Sequence, residues 1–481
     1  MDLRRREAQS APKMLPERWD EQWSSAPSNR LVLTRDPGMS WLSAEALDEA
    51  SRVVVANLAR LGIARGDRVI WSASPSRPSL IAAIGVLRAG ATLVPVSTGQ
   101  SDRERQTILA EIEPALVIDE RQDESARSCR PTALSSGAPH DGASAEVRAD
   151  DVALVIFTSG TTGNPKGAMI THGNLAAQVD ALQEAWEWSV DDRLLSALPL
   201  FHVHGLVVAL LASLSVGSGL ILEPSFDAHA FAARGGEAEA TMTFCVPTML
   251  HRLHAASLEG MLASLRVVVS GSAPLSIELF DSYARAGVSV LERYGMTESL
   301  LTISNPLRGE RRAGTVGLAL PGVSLDLPPT LGEPAELKVS GPGIFAGYWR
   351  RPEATNEVLT DGWLSTGDMV SVDGDGYVSI CGRQKDLIIT GGHNVYPAEV
   401  EDVLVGSPAI AEAAVVGMAS AEWGESVVAF IVPSAGRTGL VEAAEAQAAN
   451  LSPFKRPRRY VILDSLPRNA MGKLQRHLLI T

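Results

Sequence analysis

The sequence predicts an α/β protein on three observations: two successive alternations of strand-like and helical segments, a later change to short Gly- and Pro-rich strands, and a charged break before a small α+β C-terminal stretch. From residue 43 to 61 apolar residues recur at helical spacing (Leu47, Val53, Val54, Ala56, Leu58, Leu61), and Gly62 stands where a helix C-terminus favours a left-handed residue. Strand-like Arg68–Ser72, helical 79–89, strand-like Thr92–Val96, helical 103–112 and strand-like Leu116–Ile118 follow, an order that implies parallel strands with helical crossovers. The polar stretch 119–150 reads as a surface excursion. A second alternation runs through 206–222, Met242–Cys245, 248–255, Val267–Ser270 and 277–286. After Asn305 the short strands as far as Gly382 suggest a barrel-like or antiparallel unit, and the charged segment 383–386 separates it from a last small unit. The predicted organisation is therefore 1–382, the connecting segment 383–386, and 387–481.

A length of 481 residues suits about three domain-sized units. The net charge of −14 disfavours nonspecific binding to nucleic acid or to an anionic membrane, so an anionic substrate must be met by local positive charge. Of 42 basic residues only six are lysines (13, 166, 338, 385, 455 and 473), which makes each lysine worth inspecting. Cys129, Cys245 and Cys381 are far apart and form no CxxC or Cys/His cluster, which argues against a disulfide framework or a zinc site and favours small buried hydrophobes. The basic residues 1–6 precede no apolar signal region, and no run of about 18 apolar residues occurs, so a cytoplasmic location is expected.

The most informative stretch is Thr158-Ser159-Gly160-Thr161-Thr162-Gly163-Asn164-Pro165-Lys166-Gly167, flanked on both sides by apolar β-rich residues. Hydroxyls donate to phosphate oxygens, glycines at 160, 163 and 167 allow close backbone approach, and Lys166 supplies a point charge, so the expected ligand is ATP. The Walker P-loop does not fit: Pro165 stands where a second glycine is required, and Gly167 stands where the magnesium-binding hydroxyl belongs. A flexible Ser/Gly linker fits poorly, because linkers rarely carry a lone lysine between strand-like flanks.

Four more stretches complete a set: Tyr294-Gly-Met-Thr-Glu298, Ser365-Thr-Gly-Asp368, Gly382-Arg-Gln-Lys-Asp-Leu-Ile-Ile389 and Pro467-Arg-Asn-Ala-Met-Gly-Lys473. In this order and spacing they resemble the acyl-CoA synthetase, adenylation-domain and luciferase superfamily from about Leu31 onward. The resemblance implies two doubly wound sheets and a β-barrel-like subdomain in a large N-terminal domain, a small mobile C-terminal domain, and adenylate formation from a carboxylate and ATP. Such a reaction spreads negative charge over attacking oxygen, α-phosphate and leaving pyrophosphate, so positive charge and in-line positioning are needed. The resemblance assigns the nucleotide to Thr158, Ser159, Gly160, Thr161, Thr162, Gly163 and Lys166. It adds the adenine-side wall Ser272, Ala273 and Pro274, then Glu292, Arg293, Tyr294, Gly295, Met296 and Thr297, and finally Asp368, Arg383 and Lys473. Tyr294 stacks on adenine in that scheme, Asp368 accepts from the ribose hydroxyls and Arg383 touches the ribose. Thr297 contacts the phosphates, and Glu298 holds Mg²⁺, a role suited to a carboxylate. Lys473, Lys166, Thr297 and Glu298 are its catalytic set. Lys385 becomes a swivelling hinge that later exchanges the face bearing Lys473 for one bearing Gly391, Gly392 and His393, whose glycines leave a channel for the pantetheine arm of coenzyme A. Lys455, Arg456, Arg458 and Arg459 form a basic cluster for which coenzyme A phosphates and plain solvation remain alternatives.

The substrate is narrowed by Arg293, at a position that borders the acyl pocket in the superfamily and is often glycine where the acyl group is bulky and apolar. A guanidinium there is an unpaired buried charge unless the substrate brings a second carboxylate. Arg252, one turn along the segment 246–252, is a candidate second cation, and His202 and His204 are candidate polar donors, with ordinary core packing as the competing reading of both. Glu292-Arg293-Tyr294, His202-Val-His204 and Arg312-Ala-Gly-Thr-Val-Gly317 are most similar to the malonyl-CoA synthetases. The expected substrates are a small dicarboxylate (malonate, with methylmalonate as a second), ATP and coenzyme A, with no nucleic acid, membrane or obligatory protein partner. Ligation of oxalate or another small acid, and loading of a carrier-protein thiol, are the alternatives.

Overall fold

The computed structural model describes residues 12–35, 40–121, 126–137, 143–158, 165–328, 330–420, 422–434, 439–468 and 474–480. Among them a large N-terminal domain is built on two mainly parallel sheets and one antiparallel sheet, and a small C-terminal domain on a fourth. The predicted α/β class with two doubly wound sheets is therefore correct.

The larger sheet has nine strands in the order Leu318–Ala319, Leu300–Ser304, Val290–Met296, Val267–Ser270, Met242–Cys245, Arg193–Ser196, Gly219–Leu222, Arg30–Leu33 and Leu42–Ser43. Its interior strands are parallel and almost wholly buried, which is why they read as continuous apolar runs. Val290–Met296 changes partners midway: Glu292 pairs with Ser270 in parallel, whereas Arg293 pairs with Ser304 in an antiparallel hairpin. Arg293 thus sits where the strand leaves the parallel sheet, beyond the carboxyl end of Val267–Ser270, a location where open sheets bind ligands.

The second sheet runs Ser128–Cys129, Leu116–Ile118, Arg68–Ser72, Thr92–Val96, Val152–Thr158 and Lys166–Thr171, parallel except for the last pair, in which Thr158 faces Lys166. Helix Ala44–Arg60 begins on Ser43, whose hydroxyl accepts from the Ala46 amide at 3.2 Å, and gives way to Gly62 at φ +71°. The antiparallel sheet centres on Trp363–Val372, whose side chains alternate between buried and half-buried and whose Asp368 faces Arg383 on Val378–Arg383. In the C-terminal sheet, Ile388–Thr390 and His393–Val395 form a hairpin closed by Gly391 (φ +56°) and Gly392 (φ +81°), a two-residue turn whose positive φ at both positions glycine adopts without strain.

One expectation needs correcting. The stretch 119–150 is more than a surface excursion: Ser128–Cys129 adds an edge strand beside Leu116–Ile118, too short a pairing to leave a periodic signal. The segment after Leu200 enters a π-helix, His204–Leu211, before an α-helical turn at Ala212–Val216. Gly205 lies so close to the preceding turn that a Cβ there would collide with the Pro199 carbonyl. No helix of the described residues is long and apolar enough to cross a membrane.

Candidate active site

Three groups of side chains converge along Val290–Met296 and the turn that follows it. The first surrounds Arg293, which is 6% exposed and presses against Gly271, where any Cβ would collide with its guanidinium. Its Nε and Nη2, the two donors on one edge of the fork, are buried without a hydrogen-bond partner among the described residues. Burial pushes its pKa down to about 10, the cost of a cation without a counter-ion. Glu292 does not neutralise it, since successive strand residues point to opposite faces. The Glu292 carboxylate turns instead to the Leu275 amide, which donates to Oε2 at 3.2 Å, and so braces from behind the loop carrying half-buried Ser272 and exposed Ala273 and Pro274.

His204 is the neighbour of Arg293. Its ring stacks on Phe244 at 6.0 Å, its Nδ1 lies 3.4 Å from the Ser272 hydroxyl, and its Nε2 is buried with no partner among the described residues. Burial, and then the Arg293 charge, hold its pKa well below the usual imidazole range, so the ring is neutral and offers one N–H. A cationic fork edge, a neutral imidazole and a hydroxyl together make a receptor for an anion. His202 lies on the preceding turn, half-buried, with its ring 4.3 Å from Phe201.

Burial also pushes the Glu292 carboxyl up to about 7. The folded protein then holds a proton that the unfolded chain releases near pH 4.3, so this group's contribution to stability declines as pH rises from about 4.5 to 7 and is level above that. Glu292→Gln cannot ionise. Its stability relative to the parent is expected to improve by up to about 3 kcal/mol between pH 5 and pH 8 in denaturant titrations, and a gap that stays constant with pH would contradict this assignment.

The second group joins three chain segments. The Tyr294 hydroxyl donates to Asp368 Oδ2 at 2.6 Å, and Arg383 Nε meets Asp368 Oδ1 at 2.6 Å. Burial first, and then the adjacent Asp368, keep the Tyr294 phenol well above its ordinary pKa, so it remains a donor. Three residues from separate motifs therefore form one acid-centred cluster. Gly295 is required by the chain itself, because a Cβ there would strike the Leu300 carbonyl across the hairpin, while Met296 and Thr297 are half-buried at its turn.

The third group contains Glu298, 6% exposed, whose Oε1 accepts from the Tyr348 hydroxyl at 2.8 Å, and Lys166, whose ammonium lies 5.1 Å from the centre of the same Tyr348 ring. Oε2 of Glu298 accepts from no described residue. One hard oxygen with no donor among the described residues fits Mg²⁺ that arrives with phosphate oxygens and water as its other ligands. No group of three or more His, Cys, Asp or Glu side chains converges among the described residues.

At Gly167 a Cβ would lie 2.7 Å from Val155 Cγ1 and 3.5 Å from both Phe157 and Trp349, so strand packing by itself requires a small residue there. Thr158 ends its strand, and its hydroxyl donates to the Lys166 carbonyl at 3.3 Å. Ser159, Gly160, Thr161, Thr162, Gly163 and Lys473 lie outside the described residues. Arg252 is exposed on helix Pro247–Ala255, and no hydrogen bond or ion pair among the described residues links its side chain to the Arg293 group. Lys385 is exposed on the turn Gln384–Asp386, and exposed His393 stacks on Phe454 at 4.4 Å beside the Gly391–Gly392 turn. Tyr348 escaped the sequence reading; its only mark there is an aromatic pair after Gly347, and its partners come from residues 50 and 182 positions away.

The chain belongs to the AMP-binding enzyme family, whose model matches residues 19–349, with the family's C-terminal domain matching residues 399–473. It is an adenylate-forming protein of the AMP-forming CoA ligase class. It is 40% identical over 339 residues to an indoleacetate–CoA ligase of Aromatoleum aromaticum, a match spanning 67% of this chain and 66%, just under two thirds, of that relative. It is 33% identical over 474 residues to a malonate–CoA ligase of Arabidopsis thaliana, covering 86% of this chain and 78% of the relative. The crystal structure of ATP-bound MatB from Rhodopseudomonas palustris superposes with a TM-score of 0.89 at 34% identity, covering 97% of each chain.

Proposed function

We propose that this CoA ligase joins malonate, and as a second substrate methylmalonate, to coenzyme A through a malonyl adenylate, releasing AMP and pyrophosphate. The observation that carries this reading is the buried Arg293, with Nε and Nη2 unpartnered among the described residues beside neutral His204. A monocarboxylate leaves that cation uncompensated in an apolar wall, whereas the distal carboxylate of malonate accepts both donors in parallel and orients the other carboxylate for attack.

In this account Lys166 and Thr297 hold the phosphates, and Tyr294, Asp368 and Arg383 hold the adenosine. Glu298 keeps the metal of MgATP in place, where it neutralises charge on the phosphates. Lys473 bridges the reacting carboxylate and the α-phosphate. The C-terminal unit then turns about 383–386, and the thiol of coenzyme A enters beside Gly391 and Gly392. Of the basic cluster, Arg458, 3.8 Å over the Trp423 ring whose backbone carbonyl accepts from Gly391, suits the phosphates of coenzyme A, whereas Lys455 is paired with Glu399 and Arg456 donates to the Leu451 and Ala449 carbonyls.

Pyrophosphate release, measured with oxalate, malonate, methylmalonate, succinate, acetate and indoleacetate in turn, tests the assignment. Malonate is expected to give the highest kcat/KM, with thioester formed on free coenzyme A. A preference for acetate or indoleacetate would contradict the dicarboxylate reading, and a product that requires a carrier protein would contradict the ligase reading. Gly392→Leu places a β-carbon and a bulky side chain at φ +81° in the hairpin turn. It is expected to spare ATP–pyrophosphate exchange and to block thioester formation; equal loss of both would count against a coenzyme A channel at this turn.

A further inference from the structure

Tyr348 belongs to none of the predicted motifs, yet it touches two of the residues assigned to MgATP. Its hydroxyl donates to Glu298 Oε1 at 2.8 Å, and its ring face carries the Lys166 ammonium at 5.1 Å. A carboxylate with one oxygen engaged is fixed in rotation and presents the other in a single direction. A ring face under an ammonium attracts it without satisfying its three donors, so the lysine remains free to bind phosphate oxygens.

The local fold places the ring without help from the hydroxyl. Its segment is fastened along Lys166–Thr171 by Ala346 N–H to the Met169 carbonyl (2.9 Å), Met169 N–H to the Gly347 carbonyl (2.9 Å) and Trp349 N–H to the Gly167 carbonyl (2.7 Å). The Tyr348 amide itself donates to Thr355 Oγ1 at 2.9 Å, and the ring meets Phe345 edge-on at 4.9 Å. Phe345 N–H in turn donates to the Glu298 carbonyl at 2.9 Å, so one short segment holds both the backbone and the side chain of Glu298. With the ring's position set by these contacts, the hydroxyl is left with Glu298 as its task.

We propose that Tyr348 is a positioning residue that orients Glu298 toward the cation of MgATP and keeps Lys166 poised beside it. The proposal rests on the assignment of Glu298 to that cation, and its test separates the two. Calorimetric binding of ATP is measured with Mg²⁺ and again with EDTA for the parent, Tyr348→Phe, Tyr348→Leu, Glu298→Gln and the Phe/Gln double variant.

Tyr348→Phe is expected to weaken MgATP binding roughly tenfold while leaving metal-free ATP binding and Tm near the parent values. Tyr348→Leu, which also removes the face beneath Lys166, is expected to weaken both. In the Glu298→Gln background, Tyr348→Phe should add nothing. If Glu298→Gln selectively weakens MgATP but Tyr348→Phe does not, or weakens both forms of ATP equally, the positioning role is overturned and Glu298 keeps its own. If Glu298→Gln leaves MgATP binding unchanged, the Glu298 assignment falls and the role of Tyr348 falls with it.

Discussion

Arg293→Gly is expected to lower kcat/KM for malonate by roughly 30-fold to several thousand-fold, because losing one partner of a buried, hydrogen-bonded charge pair costs about 2 to 5 kcal/mol. Butyrate or a longer monocarboxylate should lose nothing and is expected to gain, since the cation that repels an apolar tail is gone and volume has opened beside Gly271. Arg293→Lys should fall between the two, because an ammonium supplies charge but not the flat edge formed by Nε and Nη2. Without substrate the guanidinium is a buried charge with its pKa depressed by desolvation, so Arg293→Met, which keeps much of the stem volume, is expected to hold or raise Tm while abolishing malonate use. Steady-state kinetics on malonate and butyrate decide the matter: an unchanged ratio between them in Arg293→Gly would remove Arg293 as the carboxylate reader.

Lys473→Ala should separate the two halves of the reaction. Removing one preorganised positive group aimed at developing charge slows the step it serves by about 10² to 10³. In the proposed scheme that step is adenylate formation alone, so malonate-dependent ATP–pyrophosphate exchange should fall by that factor, while synthetic malonyl-AMP and coenzyme A still give thioester at nearly the parental rate. Equal loss in both assays would mean that Lys473 stays in the site throughout, and the proposed turn of the C-terminal unit would have to be abandoned.

The strands that were legible in the sequence are those whose environment leaves a one-dimensional trace. Arg68–Ser72, Thr92–Val96, Met242–Cys245 and Val267–Ser270 lie in parallel sheets and read as short apolar runs bounded by turn residues. Ser128–Cys129 left no trace because two residues cannot show a period, and the π-helix His204–Leu211 left none because its composition is that of any buried apolar helix. At the site, Tyr294, Asp368 and Arg383 were individually legible from motif residues, but their joining into one cluster depends on how the hairpin Val290–Met296 faces the sheet holding Trp363–Val372 and Val378–Arg383. The packing role of Gly167 was not legible, because a small residue beside a phosphate and a small residue beside a valine look alike in sequence. Arg252 shows the limit of helical spacing, which fixes a turn but not the direction of a long side chain on an exposed face. Tyr348 could not have been found, since its importance comes from where residues 166 and 298 meet in space.

Whether the buried Arg293 guanidinium reads the second carboxylate of the substrate is decided by a crystal structure with malonate and a non-hydrolysable ATP analogue. One malonate carboxylate is expected in a parallel two-bond contact with Arg293 Nε and Nη2 at about 2.7 to 2.9 Å, with the His204 ring turned to donate to it. Malonate bound with both carboxylates away from Arg293, while Nε and Nη2 contact only protein or water, would contradict it.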